Sequence, residues 1–179
     1  MEEITREGRG SASFHAADFA SLDQVRAFAR TILDEYDRLD VLINNAGISD
    51  AKPALEISAA EWDRVVDTNL RGVFLVAQAA ARRMKDDGKG GSIVNVASIL
   101  GHRVAGAVAS YTASKAGVVR LTEALALEWA RYKIRVNALC PVYIETDLNR
   151  EFFESDAGKA LVKRIPQRRL GRPDDLDGA

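Results

Sequence analysis

The chain has 179 residues, a net charge of −1, 47% hydrophobic residues and 7% aromatic residues. That length suits one domain with a sizeable core, and charges of both signs without a basic stripe exclude a nucleic-acid partner. No apolar run approaches a membrane span, the opening "MEEITREGRG" lacks the apolar core of a signal peptide, and the single cysteine, Cys140, forms no internal disulfide. A cytoplasmic protein is therefore expected.

In chain order, "EEITREGRG" reads as the polar end of a helix, with Gly8 and Gly10 as stop signals. "SASFHAADF" reads as a short strand ending near Asp18. Ser21 is a cap candidate for a helix in which Val25, Phe28, Ala29, Ile32 and Leu33 follow helical spacing. "DVLINNAG" is an apolar run closed by polar residues and glycine, as in a strand buried on both faces of a parallel sheet. "SAAEWDRVVDTNLRGVFLVAQAAARRM" is a long amphipathic helix that "DDGKGG" breaks. "SIVNVAS" is a second buried strand, "ASYTASKAGVVRLTEALALEWARY" a second long helix, and "KIRVNALCP" a further strand. From Val142 on, loops and short helices are expected. Strand–helix alternation of this kind predicts an α/β fold with crossover helices.

Several polar residues stand where a strand ends, the place where open α/β sheets build their sites. Asn44, Asn45 and Gly47 follow "DVLI", Ser98 closes "SIVNVAS", and Asn137 and Pro141 end "KIRVNALCP". Asn69 follows Val65 and Val66 by four and three positions, so it shares their buried stripe and needs hydrogen-bond partners there. Tyr111 and Lys115 stand one helical turn apart on one face. An ammonium beside a phenol favours the phenolate, which makes a base. Taken singly, each of these residues has a plain structural reading. Ser98 could cap a strand end, Asn69 could be a satisfied structural amide, and Asp18 could be a turn residue. His102 reads as a loop residue or a substrate contact, and Cys140 as a small apolar residue.

Taken together, "NNAG" (44–47), "TN" (68–69), "IVNVAS" (93–98), "YTASK" (111–115) and "RVNALCP" (135–141) resemble the short-chain dehydrogenase/reductase family, in order and in spacing. The resemblance covers nearly the whole chain. It implies a Rossmann-like parallel sheet with flanking helices, and NAD or NADP as cofactor. The implied reaction is hydride transfer between that cofactor and a small-molecule alcohol or carbonyl, with the protein handling the proton. It also implies roles. Tyr111 would be the general acid/base. Lys115 would lower the Tyr111 pKa and hold the nicotinamide ribose. Ser98 would hydrogen-bond the substrate oxygen, and Asn69 would position a water in a proton relay. Asp18 would contact the adenine. The backbone at Asn44, Ala46 and Gly47 would pass the adenosine side of the cofactor. Pro141, Ile144 and Thr146 would border the nicotinamide carboxamide. No metal site, nucleic acid or membrane is implied. A homo-dimer or homo-tetramer is expected of the full-length parent, through two long helices near 59–84 and 109–132. Ala77, Ala79, Ala80, Ala81, Ala124 and Ala126 would let those helices pack closely against a partner.

The sequence departs from the family in two ways. Neither G-x-x-x-G-x-G nor G-x-G-x-x-G occurs, so the turn that cradles cofactor phosphates at a helix N-terminus is missing. The expectation is one truncated domain over residues 1–179, without the first two strands and the last, and inactive in isolation. The segment "SASFHAAD" would then either move beside "DVLINN" or lack order. The second departure is Val142, where the family has glycine. Two other functions compete. One is a non-catalytic chain that keeps only a subunit-pairing surface, and intact Ser98, Tyr111 and Lys115 argue against it. The other is a sugar-nucleotide epimerase, and "NNAG" and "RVNALCP" argue against that.

Overall fold

A computed structural model describes residues 11–145 and 150–178. Three strands, β1 (Val41–Asn44), β2 (Gly91–Val96) and β3 (Ile134–Leu139), form a parallel sheet in the order β1-β2-β3. Parallel neighbours require a long crossover, and helices supply both. Between β1 and β2 run α2 (Ala59–Val66), a π-helical turn (Asp67–Gly72) and α3 (Val73–Asp86). Between β2 and β3 runs α4 (Ala109–Trp129). Before the sheet lies α1 (Leu22–Glu35), and after it come the short helices α5 (Arg150–Glu154) and α6 (Asp156–Val162). This is the Rossmann-like α/β arrangement that the sequence implied.

The local reasons are ordinary ones. Ser21 caps α1 by accepting from Gln24 N–H, and Val25 packs that helix against α3 at 1% exposure. Arg83 of α3 donates to the carbonyls of Leu33 and Asp37, satisfying groups that the end of α1 leaves open. At the start of α2, Ser58 and Glu61 form a reciprocal capping box. Gly88 and Gly90 take positive φ angles of 69° and 75° in the turn before β2. A Cβ on Gly90 would come within 2.2 Å of the Lys133 carbonyl, so only glycine fits there.

The core lies on one face of the sheet. Ile93, Asn95, Ile134 and Val136 point inward, where Ala77, Ala81 and Met84 of α3 and Leu125 of α4 cover them. The opposite face carries the rows Val41–Ser92–Arg135 and Ile43–Val94–Asn137, and none of these six residues is buried. Val41 and Ile43 are 54% and 63% exposed. The strands were expected to be buried on both faces, and among the described residues only one face is covered. A short apolar run cannot distinguish these cases, because both demand β-branched residues.

The first expected strand is not formed. Residues 11–18 have no regular structure and pair with no strand among the described residues, so "SASFHAAD" does not lie beside β1. Without a ladder partner, a strand's backbone groups gain nothing from an extended register. The segment lies along α1 instead. Ser13 Oγ is 2.6 Å from Tyr36 Oη, and His15 Nε2 is 2.8 Å from Glu35 Oε2. The reading of residues 2–10 as a helix end lies outside the described residues.

Candidate active site

The C-terminal ends of the strands and the first turns of α4 bring the site together. In α4, Ser110, Ser114 and Lys115 are buried, and Tyr111 is partly exposed on the same side. Lys115 is only 3% exposed, and its Nζ donates to the Val96 carbonyl at 2.7 Å. The same Nζ lies 5.7 Å from the centroid of the Tyr111 ring. Burial pushes the Lys115 ammonium below its ordinary pKa of 10.5, and the Cys140 sulfur nearby pulls weakly the other way. An ammonium carries three donors, so two remain after the bond to Val96.

Ser98 follows β2 by two residues and is 8% exposed. Its Oγ accepts from Leu100 N–H at 3.2 Å, which fixes the oxygen and leaves the hydroxyl hydrogen to donate elsewhere. The capping reading and the catalytic one are thus compatible. The turn after Ser98 is held against the end of β3, because Ile99 N–H donates to the Pro141 carbonyl at 2.9 Å.

Asn69 sits in the π-helical turn and is fully buried. Its amide makes a closed pair with the backbone of Ile48, accepting from N–H at 2.8 Å and donating to the carbonyl at 2.8 Å. It also donates to Ser114 Oγ at 3.1 Å, and that hydroxyl donates to the Tyr111 carbonyl at 2.7 Å. Gly47 closes the group. A Cβ there would stand 3.3 Å from Lys115 Nζ and 3.4 Å from Asn69 Oδ1. The "NNAG" glycine therefore keeps open the space beside the ammonium.

The other expected contacts are placed less tightly. Asn44 is 6% exposed, and its amide is spent inside the sheet, donating to Asn95 Oδ1 at 2.9 Å and to the Val73 carbonyl at 3.4 Å. Its amide nitrogen is thus committed, and the same stretch of backbone continues through exposed Ala46. Asp18 uses its carboxylate locally, accepting from Ala20 N–H at 2.9 Å. No contact described links Asp18 to the Lys115 group. Ile144 forms an isolated parallel bridge with Gly171. Thr146 lies outside the described residues. Val142 is half exposed, and its φ is not among the positive ones, so valine is unstrained where the family has glycine. His102 is exposed, with Nε2 3.7 Å from Cys140 Sγ. Cys140 is half-buried against the cluster of Val73, Ala97, Val118 and Val119.

Two supporting groups escaped sequence reasoning. Asn95 is fully buried and joins Asn44 to Thr122 Oγ1, which it meets at 2.9 Å. An amide in the middle of the apolar run "SIVNVAS" was the available signal. Ser114 bridges Asn69 and Tyr111, and its position three residues after Tyr111 was the clue.

Comparison with known proteins gives the family and the fold. Residues 1–157 match the family "short chain dehydrogenase". The chain is 38% identical, over 99% of its length and 70% of the relative's, to 2-dehydro-3-deoxy-D-gluconate 5-dehydrogenase of Escherichia coli (strain K12). It is 40% identical to L-rhamnose 1-dehydrogenase (NAD(P)(+)) of Azotobacter vinelandii (strain DJ / ATCC BAA-1303), over 99% of this chain and 69% of that one. Among solved structures, gluconate 5-dehydrogenase from Burkholderia cenocepacia J2315, in complex with NADP and tartrate, superposes with a TM-score of 0.89. That pair shares 37% identity over 98% of this chain and 69% of the other. The chain belongs to the short-chain dehydrogenase family, an oxidoreductase family of Rossmann-like fold.

Proposed function

We propose that this chain carries the site of an oxidoreductase that interconverts an alcohol and a carbonyl with NAD or NADP, using Tyr111 as the proton-handling group. Without a glycine-rich phosphate turn, the chain alone is expected to turn over little or nothing. The observation that carries the reading is the buried Lys115 ammonium, anchored to Val96 and set 5.7 Å from the Tyr111 ring. Burying an ammonium is costly, and here it stands beside the one group whose acid–base chemistry it would tune. A bound nicotinamide supplies or takes the hydride.

The chain's own residues do the rest. In reduction, Tyr111 Oη gives its proton to the carbonyl oxygen, and in oxidation it takes the alcohol proton. Ser98 donates its free hydroxyl hydrogen to that oxygen and stabilises its charge. The two donors of Lys115 not used by Val96 would serve the ribose and the phenol. Asn69, locked by Ile48 and Ser114, holds the relay end of the site. The residues fit a nicotinamide cofactor. The space that a Cβ on Gly47 would fill lies beside Lys115 Nζ and Asn69 Oδ1, and the Asn44–Gly47 backbone, Pro141, Ile144 and Thr146 would contact the cofactor. Asp18 would take the adenine. One cytoplasmic Rossmann-like domain is the setting.

An oligomeric parent is part of the same reading. A groove of about 450 Å³ between α3 and α4, lined by Phe74, Leu121 and Trp129, lies open, and Leu127 is 82% exposed. Of the six small residues expected at that surface, Ala81 and Ala124 line the groove, whereas Ala77 and Ala80 are buried in the core.

Titration with NADH and NADPH, followed through Trp62 and Trp129 fluorescence, tests the reading. Saturable binding that Lys115→Ala weakens supports it; turnover of a secondary alcohol by the chain alone, abolished by Tyr111→Phe, would support the chemistry and overturn the expected inactivity. A folded chain that binds neither nucleotide overturns it in favour of the pairing-surface reading.

A further inference from the structure

Between α1 and α3 lies a groove of about 740 Å³. Its floor is apolar, built from Val25, Ala29 and Leu33 of α1 and from Leu75 and Ala79 of α3. Its rim is cationic. Arg26 and Arg30 stand one helical turn apart on α1, and Arg82 lines the groove from α3. All three are exposed, and among the described residues none of them makes an ion pair or a hydrogen bond. Arg83, next in the chain, is spent on the Leu33 and Asp37 carbonyls. Like charges one turn apart repel, and Asp23, which also lines the groove, offsets only one of the three. The groove therefore calls for a guest that is apolar in the middle and acidic around it.

The chain carries such a surface elsewhere. On α5, Phe152 is 50% exposed, whereas Phe153 packs edge-on against Tyr143. Glu151 and Glu154 stand on either side of Phe152 in the chain and share one face of α5, three positions apart. Asp156 follows at the start of α6. The three carboxylates are exposed, and among the described residues they make no ion pair. Ser155 fixes the shape of this knob, donating to the Phe152 carbonyl at 2.6 Å and accepting from Gly158 N–H at 3.1 Å. No residue of α5 lines the groove of its own chain.

We propose that α5 of one copy docks in the α1–α3 groove of a second copy. Phe152 then covers the apolar floor, and Glu151, Glu154 and Asp156 meet Arg26, Arg30 and Arg82. Aromatic and arginine side chains are the usual anchors of protein contacts, and guanidinium–carboxylate pairs add charge-assisted hydrogen bonds. The contact joins two different patches. Each pair therefore keeps one free groove and one free knob, and association continues past the dimer.

The test uses two charge-reversed chains, Arg26→Glu/Arg30→Glu for the groove and Glu151→Arg/Glu154→Arg for the knob. Arg82 is left alone because it also lines the groove between α3 and α4. Sedimentation velocity against concentration reads association, and circular dichroism checks that each chain is folded. Wild type should associate, at least about tenfold more weakly in ~0.5 M salt than in ~0.05 M. Each reversed chain should lose this salt-sensitive association. Mixed, the two should form a one-to-one complex and stop there, since only one intact groove and one intact knob remain. The chain with all four reversals should associate again. Arg26→Gln/Arg30→Gln, which introduces no new charge into α1, should weaken association in the same direction. A wild type still monomeric at about 1 mM, association that neither salt nor charge reversal weakens, or reversed chains that do not combine overturns the proposal.

Discussion

Asn69 Nδ2 donates to Ser114 Oγ at 3.1 Å, and this hydrogen bond, beside the packing of Leu70 against Val118 and Val119, joins the π-helical turn to α4. Through it, an amide locked to Ile48 is tied to the backbone of Tyr111. Ser114→Ala removes the bridge and leaves the buried Asn69 donor short of a partner. A loss of about 1–3 kcal/mol in urea unfolding is expected. Nicotinamide nucleotide affinity should fall as well. Unchanged stability would mean that Ser114 is only filling space.

Lys115 presents a trade between stability and function. Its folded-state pKa lies below 10.5 because burial disfavours the charged form. Between the lowered value and 10.5 the unfolded chain holds more protons, so stability rises with pH across that window. Below the window the cost of burying charge is fully present. Relative to Lys115→Met, the wild type should therefore gain stability as pH climbs towards 10.5. The variant should bind nucleotide poorly. Thermal midpoints of the two proteins over alkaline pH check this, and parallel curves would refute it.

Glu61 also has a lowered pKa, but here the cause is a partner that favours its charged form. Its hydrogen bond with Lys52, helped by Ser58, lowers its pKa from 4.5 to about 2. Stability from this carboxylate is present above the unfolded value near 4.5 and is lost as pH falls through about 2. Glu61→Gln should flatten the pH dependence of thermal stability in that acid window by removing the stability held above it, so the variant is modestly less stable than wild type at neutral pH, the solvated pair keeping the difference small. A variant with the wild-type acid profile would show that the shift lies elsewhere.

Ile43 lies on the uncovered face of the sheet at 63% exposure. Ile43→Thr keeps a β-branched residue and removes apolar surface that water already sees. Stability should change by no more than about 0.5 kcal/mol. Self-association, followed by light scattering against concentration, should decrease. A loss of several kcal/mol would mean that this face is covered in solution.

Where the sequence could be read, the reason was redundancy. The three paired strands are apolar runs bounded by polar or glycine residues, and the helices around them carry both period and punctuation. Ser21 is a cap in sequence and in structure. The site was legible because it sits at strand ends and on one helix turn, so spacing alone groups Tyr111 with Lys115. The failures have a common cause, which is that they depend on partners distant in sequence. "SASFHAADF" has a strand's composition, but a strand exists only against a neighbour. The exposure of Val41 and Ile43 depends on what covers the sheet, and β-branched residues do not report that. Asn95 and Ser114 each carry a local hint, but the partners that fix them stand 51 and 45 positions away, and the hint does not say which they are.

The wide turn at Asp67–Gly72 sets the phase of everything behind it. A π-helical turn takes up a residue that a regular helix would not. Each residue of an α-helix advances about 100° around the axis. Deleting one position upstream of Val73 forces a choice. Either the turn tightens and Asn69 swings out of its socket, or α3 rotates and carries Val76, Ala77, Ala80 and Met84 off the sheet. Length between the Ser58 cap and Gly88 is therefore as tightly constrained as any side chain in the site, and variation here should come as substitution and never as insertion or loss.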